Sequence, residues 1–235
     1  MIGILLAGGR GTRLMPATLY LNKHLLPVGD RPMMAWPLKT MIDSGIRKIV
    51  VVAGDSFSDQ VINAVLDLNI PARICYAKQY KPLGMPDAIR KARRFVGNDS
   101  VFVCAADNIF GGNYSALIRK FKLGEISMLR QVSDPSRFGV PMYVNRKLVA
   151  IEEKPKTSSH NWIVSGPHIF DNKIWKYIMG LVPSTRGELE ISDLHQRYLE
   201  LRQLKLVKRR DYWIDCGTYE SLIQAQVDYF NHKYK

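Results

Sequence analysis

Short apolar runs that alternate with helical patterns are the feature that most constrains the fold of this chain. Each run is continuous, is rich in Val and Ile, and is bounded by Gly, Asp, Asn or Gln. The runs are Ile2 to Ala7, Lys48 to Ala53, Ile74 to Ala77 and Val101 to Ala106. Continuous apolarity is typical of parallel strands that are buried on both faces. The pattern therefore predicts an α/β fold with a Rossmann-like, doubly wound mixed sheet.

Helical patterns fill the intervals between these runs. We expect helices from Pro32 to Gly45, from Ser58 to Leu68 and from Pro86 to Phe95, because apolar residues recur there at helical spacing. In sheets of this kind ligands bind beyond the carboxyl ends of the strands. A ligand is therefore expected at the edge where the four strands end.

The second half of the chain follows a more mixed pattern. Ser192 and Thr218 are predicted to cap the two last helices, and Phe230 is expected on the inner face of the final one. No linker, repeat or low-complexity segment separates the halves, so we expect a single domain over residues 1–235 with an inserted sub-sheet. The predicted strands of this half are Ile126 to Gln131, Val140 to Val144 and Leu148 to Ile151.

Composition argues against several classes of protein. The sequence has no apolar run of about 18 residues, which a membrane-spanning helix needs, and its N-terminus lacks the cationic start of a secretory signal. The cysteines Cys75, Cys104 and Cys216 suit neither a disulfide framework nor a metal knuckle. We therefore expect a cytoplasmic protein without a membrane partner.

A formal net charge of +13 favours an anionic partner. The basic residues are scattered, with short clusters at Arg90 to Arg94 and Lys205 to Arg210, and there is no long basic tail and no zinc-finger or RNP-type signature. Phosphorylated small molecules are the expected partners. A nucleic acid is the weaker alternative, and we expect none.

A glycine-rich segment follows the first apolar run and indicates a phosphate site. Glycines at 8, 9 and 11 let backbone N–H groups face an anion. Arg13 and Lys23 add full positive charges nearby. We interpret the segment as a site for a polyphosphate, the alternative being a plain turn with a solvated arginine.

Two carboxylates stand where a metal ion would be held. Asp107 ends the fourth apolar run, at the expected ligand edge, where it would repel a polyphosphate unless a cation lay between them. Asp215 follows another short apolar stretch. Mg²⁺ binds through one or two carboxylates together with substrate phosphates, so we predict Mg²⁺. A turn or helix-capping role is the alternative for each aspartate.

Three further features suit ligand recognition. Glu153 and Lys154 close a predicted strand and would grip ligand hydroxyls and a phosphate, or simply form a charged turn. Arg186 would supply another phosphate contact. Gln79, near Gly84, suits the edge of a base because a side-chain amide both donates and accepts. The five histidines are dispersed and form no catalytic constellation.

Taken in order, these motifs resemble those of the sugar-1-phosphate nucleotidyltransferases, and within them the glucose-1-phosphate thymidylyltransferases. The resemblance covers essentially the whole chain. It rests on LAGGRGTRL at 6–14, LLPV at 25–28, DN at 107–108, FGV at 138–140, EEKP at 152–155, RGELEI at 186–191 and WIDCGT at 213–218.

The resemblance implies transfer of a nucleotidyl group from dTTP or UTP to a hexose 1-phosphate, with Mg²⁺ and a homo-oligomeric assembly. Residues 1–125 would bind mainly the nucleotide, and residues 126–235 mainly the sugar phosphate. The implied catalytic residues are Arg13, Lys23 and Lys154, and the implied metal ligands are Asp107 and Asp215. The implied nucleotide contacts are Leu6, Gly8, Gly9, Gly11, Thr12, Arg13, Gln79, Pro82, Gly84 and Asp107. The implied sugar-phosphate contacts are Asn108, Gly139, Glu153, Lys154, Val164, His168, Arg186 and Trp213.

The sequence departs from the family pattern mainly on the sugar side. His168 stands where a tyrosine is usual, and Pro141 and Met142 replace Val and Glu. Ala105-Ala106 replaces Leu-Gly on the nucleotide side. An amino or deoxy hexose 1-phosphate is therefore an alternative to glucose 1-phosphate, and a non-catalytic nucleotide-binding relative is the alternative to an enzyme. We also expect a short form without the C-terminal helical extension that longer members use for feedback.

Overall fold

A nine-stranded mixed sheet runs through the protein. The structure is a computed structural model and describes residues 1–232. The strands of the sheet are β1 (Ile2–Ala7), β4 (Lys48–Gly54), β5 (Arg73–Gln79), β6 (Val101–Ala105), β8 (Glu125–Gln131), β9 (Gly139–Val144), β10 (Lys147–Glu153), β11 (Trp162–Phe170) and β12 (Leu204–Lys208). Four parallel strands lie side by side in the order β6-β1-β4-β5.

The strands of the second half extend the same sheet. The long strand β11 pairs with β8 along one edge, while β9 and β6 pair with it in antiparallel fashion on the other. The β9–β10 hairpin and β12 complete the sheet. The predicted sub-sheet is therefore hydrogen-bonded to the main sheet through β11.

Two shorter pairings lie outside this sheet. The strands β2 (Pro27–Val28) and β3 (Arg31–Pro32) form one antiparallel pair, and β7 (Asn108–Phe110) and β13 (Trp213–Asp215) form the other. The register of β7 and β13 places Asp215 opposite Asn108. Residues far apart in sequence thereby meet just beyond the end of β6.

Helices cover both faces of the sheet, as a doubly wound arrangement requires. They are α1 (Ala35–Asp43), α2 (Ser58–Asp67), α3 (Met85–Lys91), α4 (Arg93–Val96), α5 (Ser115–Lys120), α6 (Ile174–Met179), α7 (Ile191–Glu200) and α8 (Tyr219–Phe230), with 3₁₀ turns at Thr12–Leu14, Lys23–Leu25 and Pro135–Arg137. Successive side chains of β1 pack into different cores: Leu5 lies with α1 and α2, and Ile4 lies with α3, α6 and α7. This double burial explains the continuous apolar runs.

The predicted helices exist, with three corrections to their ends. Pro32 lies in β3 and does not open α1, which begins at Ala35. The segment predicted from Pro86 to Phe95 divides into α3 and α4 around Ala92. Ser192 is not a helix cap, because α7 begins at Ile191 and the Ser192 hydroxyl donates to Glu153 instead.

The last helix confirms one prediction and contradicts another. Thr218 caps α8, with its hydroxyl accepting the backbone N–H of Ser221 at 3.3 Å. Phe230 does not face inward and is 71% exposed. Among the helices of residues 1–232, none is long and apolar enough to span a membrane.

Candidate active site

Two large cavities open at the carboxyl edge of the parallel strands, and a smaller one joins them. The first has a volume of about 470 Å³ and lies between the glycine loop, Gly54 and Gln79. The second, of about 660 Å³, lies over β9, β11 and β13. The joining cavity, of about 220 Å³, contains Lys23 and shares Asp107 with the second cavity. Together they form one groove with Lys23 and Asp107 at its middle.

The glycine loop lies close to its neighbours in the first cavity. A Cβ built on Gly8 would lie 2.7 Å from Gln79 Oε1, and one built on Gly54 would lie 2.7 Å from the Gly8 carbonyl oxygen. Gly54 has no room for a larger residue, because the close atoms are backbone, whereas a larger residue at Gly8 would have to displace the Gln79 side chain. The strand end, the loop and Gln79 therefore form a tight wall on which a planar ligand can lie.

Asp87 and Gly84 fix the orientation of the Gln79 side-chain amide. Gln79 Nε2 donates to the Gly84 carbonyl at 3.1 Å and to Asp87 Oδ2 at 2.9 Å. Both partners are acceptors, so the nitrogen must face them and Oε1 must face Gly8. Asp87 is held in turn by Arg90 at 2.6 Å. Gln79 therefore presents a hydrogen-bond acceptor, its Oε1, to the first cavity.

A buried ion pair joins Lys23 to Asp107 at the middle of the groove. Lys23 Nζ donates to Asp107 Oδ2. Burial alone would raise the pKa of Asp107, but the charge of Lys23 and its hydrogen bond hold it well below its usual range. Burial and the Lys23 charge lower the pKa of His24 to about 3. At neutral pH the pair is therefore charged and His24 is neutral.

Asn108 links the two predicted metal ligands. Its Nδ2 donates to Asp107 Oδ1 and to Asp215 Oδ2, each at 3.1 Å. Trp213 Nε1 donates to Asn108 Oδ1 at 3.0 Å, which fixes the amide. The antiparallel register of β7 and β13 is what brings these side chains together.

The surroundings of Asp215 suit a divalent cation. Burial and the charge of Asp107 both raise the pKa of Asp215. Asp215 Oδ1 accepts the Gly217 N–H at 3.0 Å, and Arg137 lies 3.6 Å away. Two carboxylates that disfavour each other's charge, at an oxygen-rich site on a groove, fit a hard cation such as Mg²⁺.

Charged side chains surround Glu153 in the second cavity. Ser192 Oγ donates to Glu153 Oε2, while Lys154 Nζ and Arg186 Nη2 each lie 3.4 Å from Glu153 Oε1. Arg186 also pairs with Glu190 at 2.7 Å. Lys154 has a positive φ of 48°, uncommon for a residue with a Cβ. This conformation belongs to the turn that follows β10, directly at the cavity.

Comparisons with known proteins show which family this chain belongs to. A model of the nucleotidyl transferase family matches residues 2–232. The glucose-1-phosphate thymidylyltransferase of Neisseria meningitidis serogroup A is 40% identical, over 96% of this chain and 81% of that protein. The Mycolicibacterium smegmatis enzyme of the same name is 37% identical, also over 96% of this chain and 81% of that protein.

The chain belongs to the nucleotidyl transferase family. It is a sugar-1-phosphate nucleotidyltransferase, as its motifs predict.

Solved structures place the nucleotidyltransferase in the predicted fold class. A Bacillus anthracis protein described as a glucose-1-phosphate thymidylyltransferase, in complex with sucrose, superposes with a TM-score of 0.90 at 37% identity, over 97% of this chain and 94% of that one. A UDP-glucose pyrophosphorylase with UDP-glucose superposes with a TM-score of 0.85 at 20% identity, which supports the fold alone. The predicted fold class is confirmed.

Almost every predicted site residue of the nucleotidyltransferase lines this groove. Gly11 is the exception: a Cβ built on it would lie 2.8 Å from Lys23 Cβ, so it packs against the lysine and lines none of the three cavities. Arg13 lies in the second cavity, next to Gly217. The first and joining cavities hold Leu6, Gly8, Gly9, Thr12, Lys23, Gln79, Pro82 and Gly84. The second holds Arg13, Asp107, Asn108, Gly139, Glu153, Lys154, Val164, His168, Arg186, Trp213 and Asp215.

Three residues that shape the site of this nucleotidyltransferase were not predicted from its sequence. Asp87 orients Gln79, Arg137 approaches Asp215, and Ser192 holds Glu153. In the sequence Asp87 looks like an acidic residue in the first turn of a helix, and Arg137 like a turn residue after Pro135. Only the spatial arrangement distinguishes them from ordinary surface residues.

Proposed function

We propose that this protein transfers a nucleotidyl group from dTTP or UTP to a hexose 1-phosphate, releasing pyrophosphate. The observation that carries the proposal is the groove with Lys23 and Asp107 at its middle. One end suits a base and the other suits a charged sugar. The phosphate groups of two substrates would therefore meet beside Lys23.

Gln79 would identify the base. Its Oε1 is an acceptor, because both amide hydrogens are committed to Gly84 and Asp87. Thymine and uracil carry an N–H at N3, whereas cytosine has an acceptor there. An acceptor in this wall therefore favours dTTP or UTP over CTP. Gly8 and Pro82 line the same cavity and would lie against the ring.

The second cavity would hold the hexose 1-phosphate. Glu153 would accept hydrogen bonds from sugar hydroxyls, while Lys154 and Arg186 would bind the phosphate. Gly139, Val164, His168 and Trp213 line the same cavity. Glucose 1-phosphate and a modified hexose 1-phosphate both remain candidates.

The reaction needs charge neutralisation more than proton transfer. A phosphate oxygen of the sugar phosphate would attack the α-phosphorus of the nucleotide, and the bond from that phosphorus to the β-phosphate oxygen would break as pyrophosphate leaves. The attacking phosphate is already largely ionised at neutral pH, since its second pKa is about 6. No general base is required. Lys23 and Arg13 would reduce the repulsion between the two anions and align them.

Asp107 and Asp215 would hold Mg²⁺. Nucleotidyltransferases of this family generally use a divalent metal. When bound, the ion would supply charge neutralisation and orientation of phosphates.

The proposal also covers domain organisation, cellular location and assembly. We propose a single domain, in which residues 1–125 bind mainly the nucleotide and residues 126–235 mainly the sugar phosphate. A cytoplasmic location is supported by three cysteines that are all free. A homo-oligomer rests on the family resemblance alone, and sedimentation of the purified protein would test it.

A pyrophosphate-release assay tests the proposal. The protein is incubated with Mg²⁺, with dTTP, UTP, CTP or ATP, and with a panel of hexose 1-phosphates. We expect release with dTTP or UTP and at least one sugar phosphate. Nucleotide binding without release for every sugar would instead support the alternative, a non-catalytic relative that acts as a sensor or partner. Absence of both binding and release would contradict the proposal.

A further inference from the structure

A buried polar cluster lies behind the second cavity, inside what the strand patterns would predict to be apolar core. Glu125 and Ser127 lie on β8, His168 lies on β11 and His195 lies on α7, and each is at most 5% exposed. The register of β8 and β11 shifts between Ser165 and Ile169. The shift places His168 beside Ser127. Buried polar groups of this kind need defined hydrogen bonds.

The hydrogen bonds of the cluster determine where its protons lie. Ser127 Oγ donates to Glu125 Oε1 at 2.5 Å, and His195 Nδ1 lies 2.5 Å from the same oxygen. The hydroxyl hydrogen of Ser127 is therefore committed to Glu125. Ser127 Oγ also lies 2.8 Å from His168 Nδ1, so the nitrogen must be the donor in that contact.

A neutral His168 with its hydrogen on Nδ1 has a free lone pair on Nε2. Burial and the nearby His195 lower the pKa of His168 well below its usual value, so the ring is neutral at pH 7. A Cβ built on Gly166 would lie 3.5 Å from both Cδ2 and Nε2 of His168, and both residues line the second cavity. Within residues 1–232 the contact at Nδ1 is the hydrogen bond that the His168 ring makes.

We propose that Glu125 and Ser127 are positioning residues that hold His168 with its bare Nε2 toward the second cavity, so that this wall accepts a hydrogen bond from a hydroxyl or amino group of the sugar. The inference rests on the proposed function in one respect, which is that a sugar phosphate occupies this cavity. It adds a requirement for a donor group at one position of the sugar. A sugar deoxygenated at that position is a poorer substrate.

The distances within the cluster suit hydrogen bonds better than a bound metal ion. Glu125, His168 and His195 offer ligand atoms within 4.8 Å of one another. Ligands bound at about 2.0 Å around a tetrahedral zinc ion are separated by about 3.3 Å. The contacts of 2.5 and 2.8 Å that Ser127 makes are hydrogen-bond lengths, and its hydroxyl lies between the carboxylate and His168.

Nuclear magnetic resonance of ¹⁵N-labelled histidine side chains tests the tautomer directly, without requiring activity. His168→Phe assigns the signals by their loss. We expect His168 to be neutral at pH 7 with hydrogen on Nδ1, and Ser127→Ala to shift the population toward the other tautomer. A hydrogen on Nε2 in the wild type, an unchanged tautomer in Ser127→Ala, or stoichiometric bound zinc in the purified protein would overturn the proposal.

Steady-state kinetics test whether the tautomer of His168 contributes to binding of the sugar phosphate. Ser127→Ala is expected to raise KM for the sugar phosphate about three- to tenfold, the effect of losing one hydrogen bond, while KM for the nucleotide stays within about twofold. Ser44→Ala is the control, since Ser44 is also buried and its hydroxyl also has a partner, the Tyr114 N–H at 3.0 Å, but it lies outside the groove.

A panel of hexose 1-phosphates that each lack one hydroxyl identifies the contacted position. With the wild type, one analogue is expected to react more slowly than the intact sugar phosphate. With His168→Phe, the same analogue is expected to react as fast as the intact sugar phosphate. Equal losses for both proteins with every analogue would contradict the inference while leaving the proposed function intact. A wild type that releases no pyrophosphate with any sugar phosphate would contradict the proposed function itself, and the tautomer measurement would still stand.

Discussion

Asp107 and Asp215 both accept a hydrogen bond from the same amide nitrogen, Asn108 Nδ2, at 3.1 Å each. The two carboxylates lie in segments that the short β7–β13 pairing and a hydrogen bond from the Cys216 N–H to the Asp107 carbonyl, at 2.8 Å, bring together. Lys23 neutralises Asp107, whereas Asp215 is left with a raised pKa. The pair is thus prepared for one further positive charge, and the predictions for Asp107 and Asp215 follow from that imbalance.

Asp107→Asn is expected to reduce turnover by at least about 100-fold while the protein stays folded, because the substitution removes a metal ligand and the partner of Lys23 at the reacting centre. Steady-state pyrophosphate release and circular dichroism measure the two effects. Asp43→Asn is the matched control, since Asp43 is an exposed aspartate that pairs with Lys39 at 2.5 Å. Turnover of Asp107→Asn close to that of the control would remove the argument for a metal at this position.

Asp215→Asn is expected to raise the melting temperature of the metal-free protein at pH 7. Burial and Asp107 raise the pKa of Asp215, so its ionised form costs stability once the pH exceeds its ordinary pKa. The effect of Asp107 on stability has the opposite sign. Because its pKa is lowered in the folded protein, its ionised form stabilises the fold at a pH above its ordinary pKa, and this stabilisation is lost as the pH falls.

Thermal melts in EDTA and with Mg²⁺ plus nucleotide separate these effects. The wild type should gain stability with Mg²⁺ and nucleotide, and Asp215→Asn should gain much less. A lower melting temperature of Asp215→Asn in EDTA, or equal gains for both proteins, would show that Asp215 is not a destabilised ligand.

Asp87→Asn is expected to weaken the discrimination between dTTP and dCTP by about tenfold, roughly the effect of one buried hydrogen bond. Without the carboxylate, the Gln79 amide can turn and present a donor to the base. The ratio of kcat/KM for the two nucleotides measures this. Asp59→Asn is the control, because Asp59 lies in the first turn of α2 as Asp87 does in α3 but is exposed. An unchanged ratio in Asp87→Asn would mean that Asp87 does not orient the amide.

Gly8→Ala is expected to lower kcat/KM for the nucleotide at least tenfold and to destabilise the protein by about 1–3 kcal/mol, the usual cost of overpacking. The added Cβ would lie 2.7 Å from Gln79 Oε1, so the base-contacting atom would have to move. Gly180→Ala serves as the control, since the nearest atom to its added Cβ lies at 3.6 Å. Nucleotide kinetics of Gly8→Ala that match this control would contradict the close packing.

The strands and the glycine loop were predictable because each depends on local residues. The run from Ile2 to Ala7 is buried on both faces and has the predicted bounds. The helix predicted from Pro32 begins later, since Pro32 lies in a two-residue strand where a missing N–H is tolerated. The exposed position of Phe230 at the end of α8 was not predictable, because helical periodicity does not say where the core ends.

Contacts between segments that are distant in sequence could not be predicted from the sequence pattern. Asp107 and Asp215 were each predicted, but their link through Asn108 depends on the register of two three-residue strands. Ser192 has the residue type of a helix cap, yet its hydroxyl is bound by Glu153 from another element. Ser127 looks like one small residue in an apolar strand, and only the register shift opposite it shows that it holds His168.

A crystal structure of the protein with dTTP and Mn²⁺ tests the central claim most directly, because Mn²⁺ takes the same oxygen ligands as Mg²⁺ and is identified by its anomalous scattering. We predict one ion bound to oxygens of both Asp107 and Asp215 and to the triphosphate, with the phosphates beside Gly8 and within reach of Lys23. A triphosphate bound outside the groove, or an ion that leaves either carboxylate uncoordinated, would contradict the account.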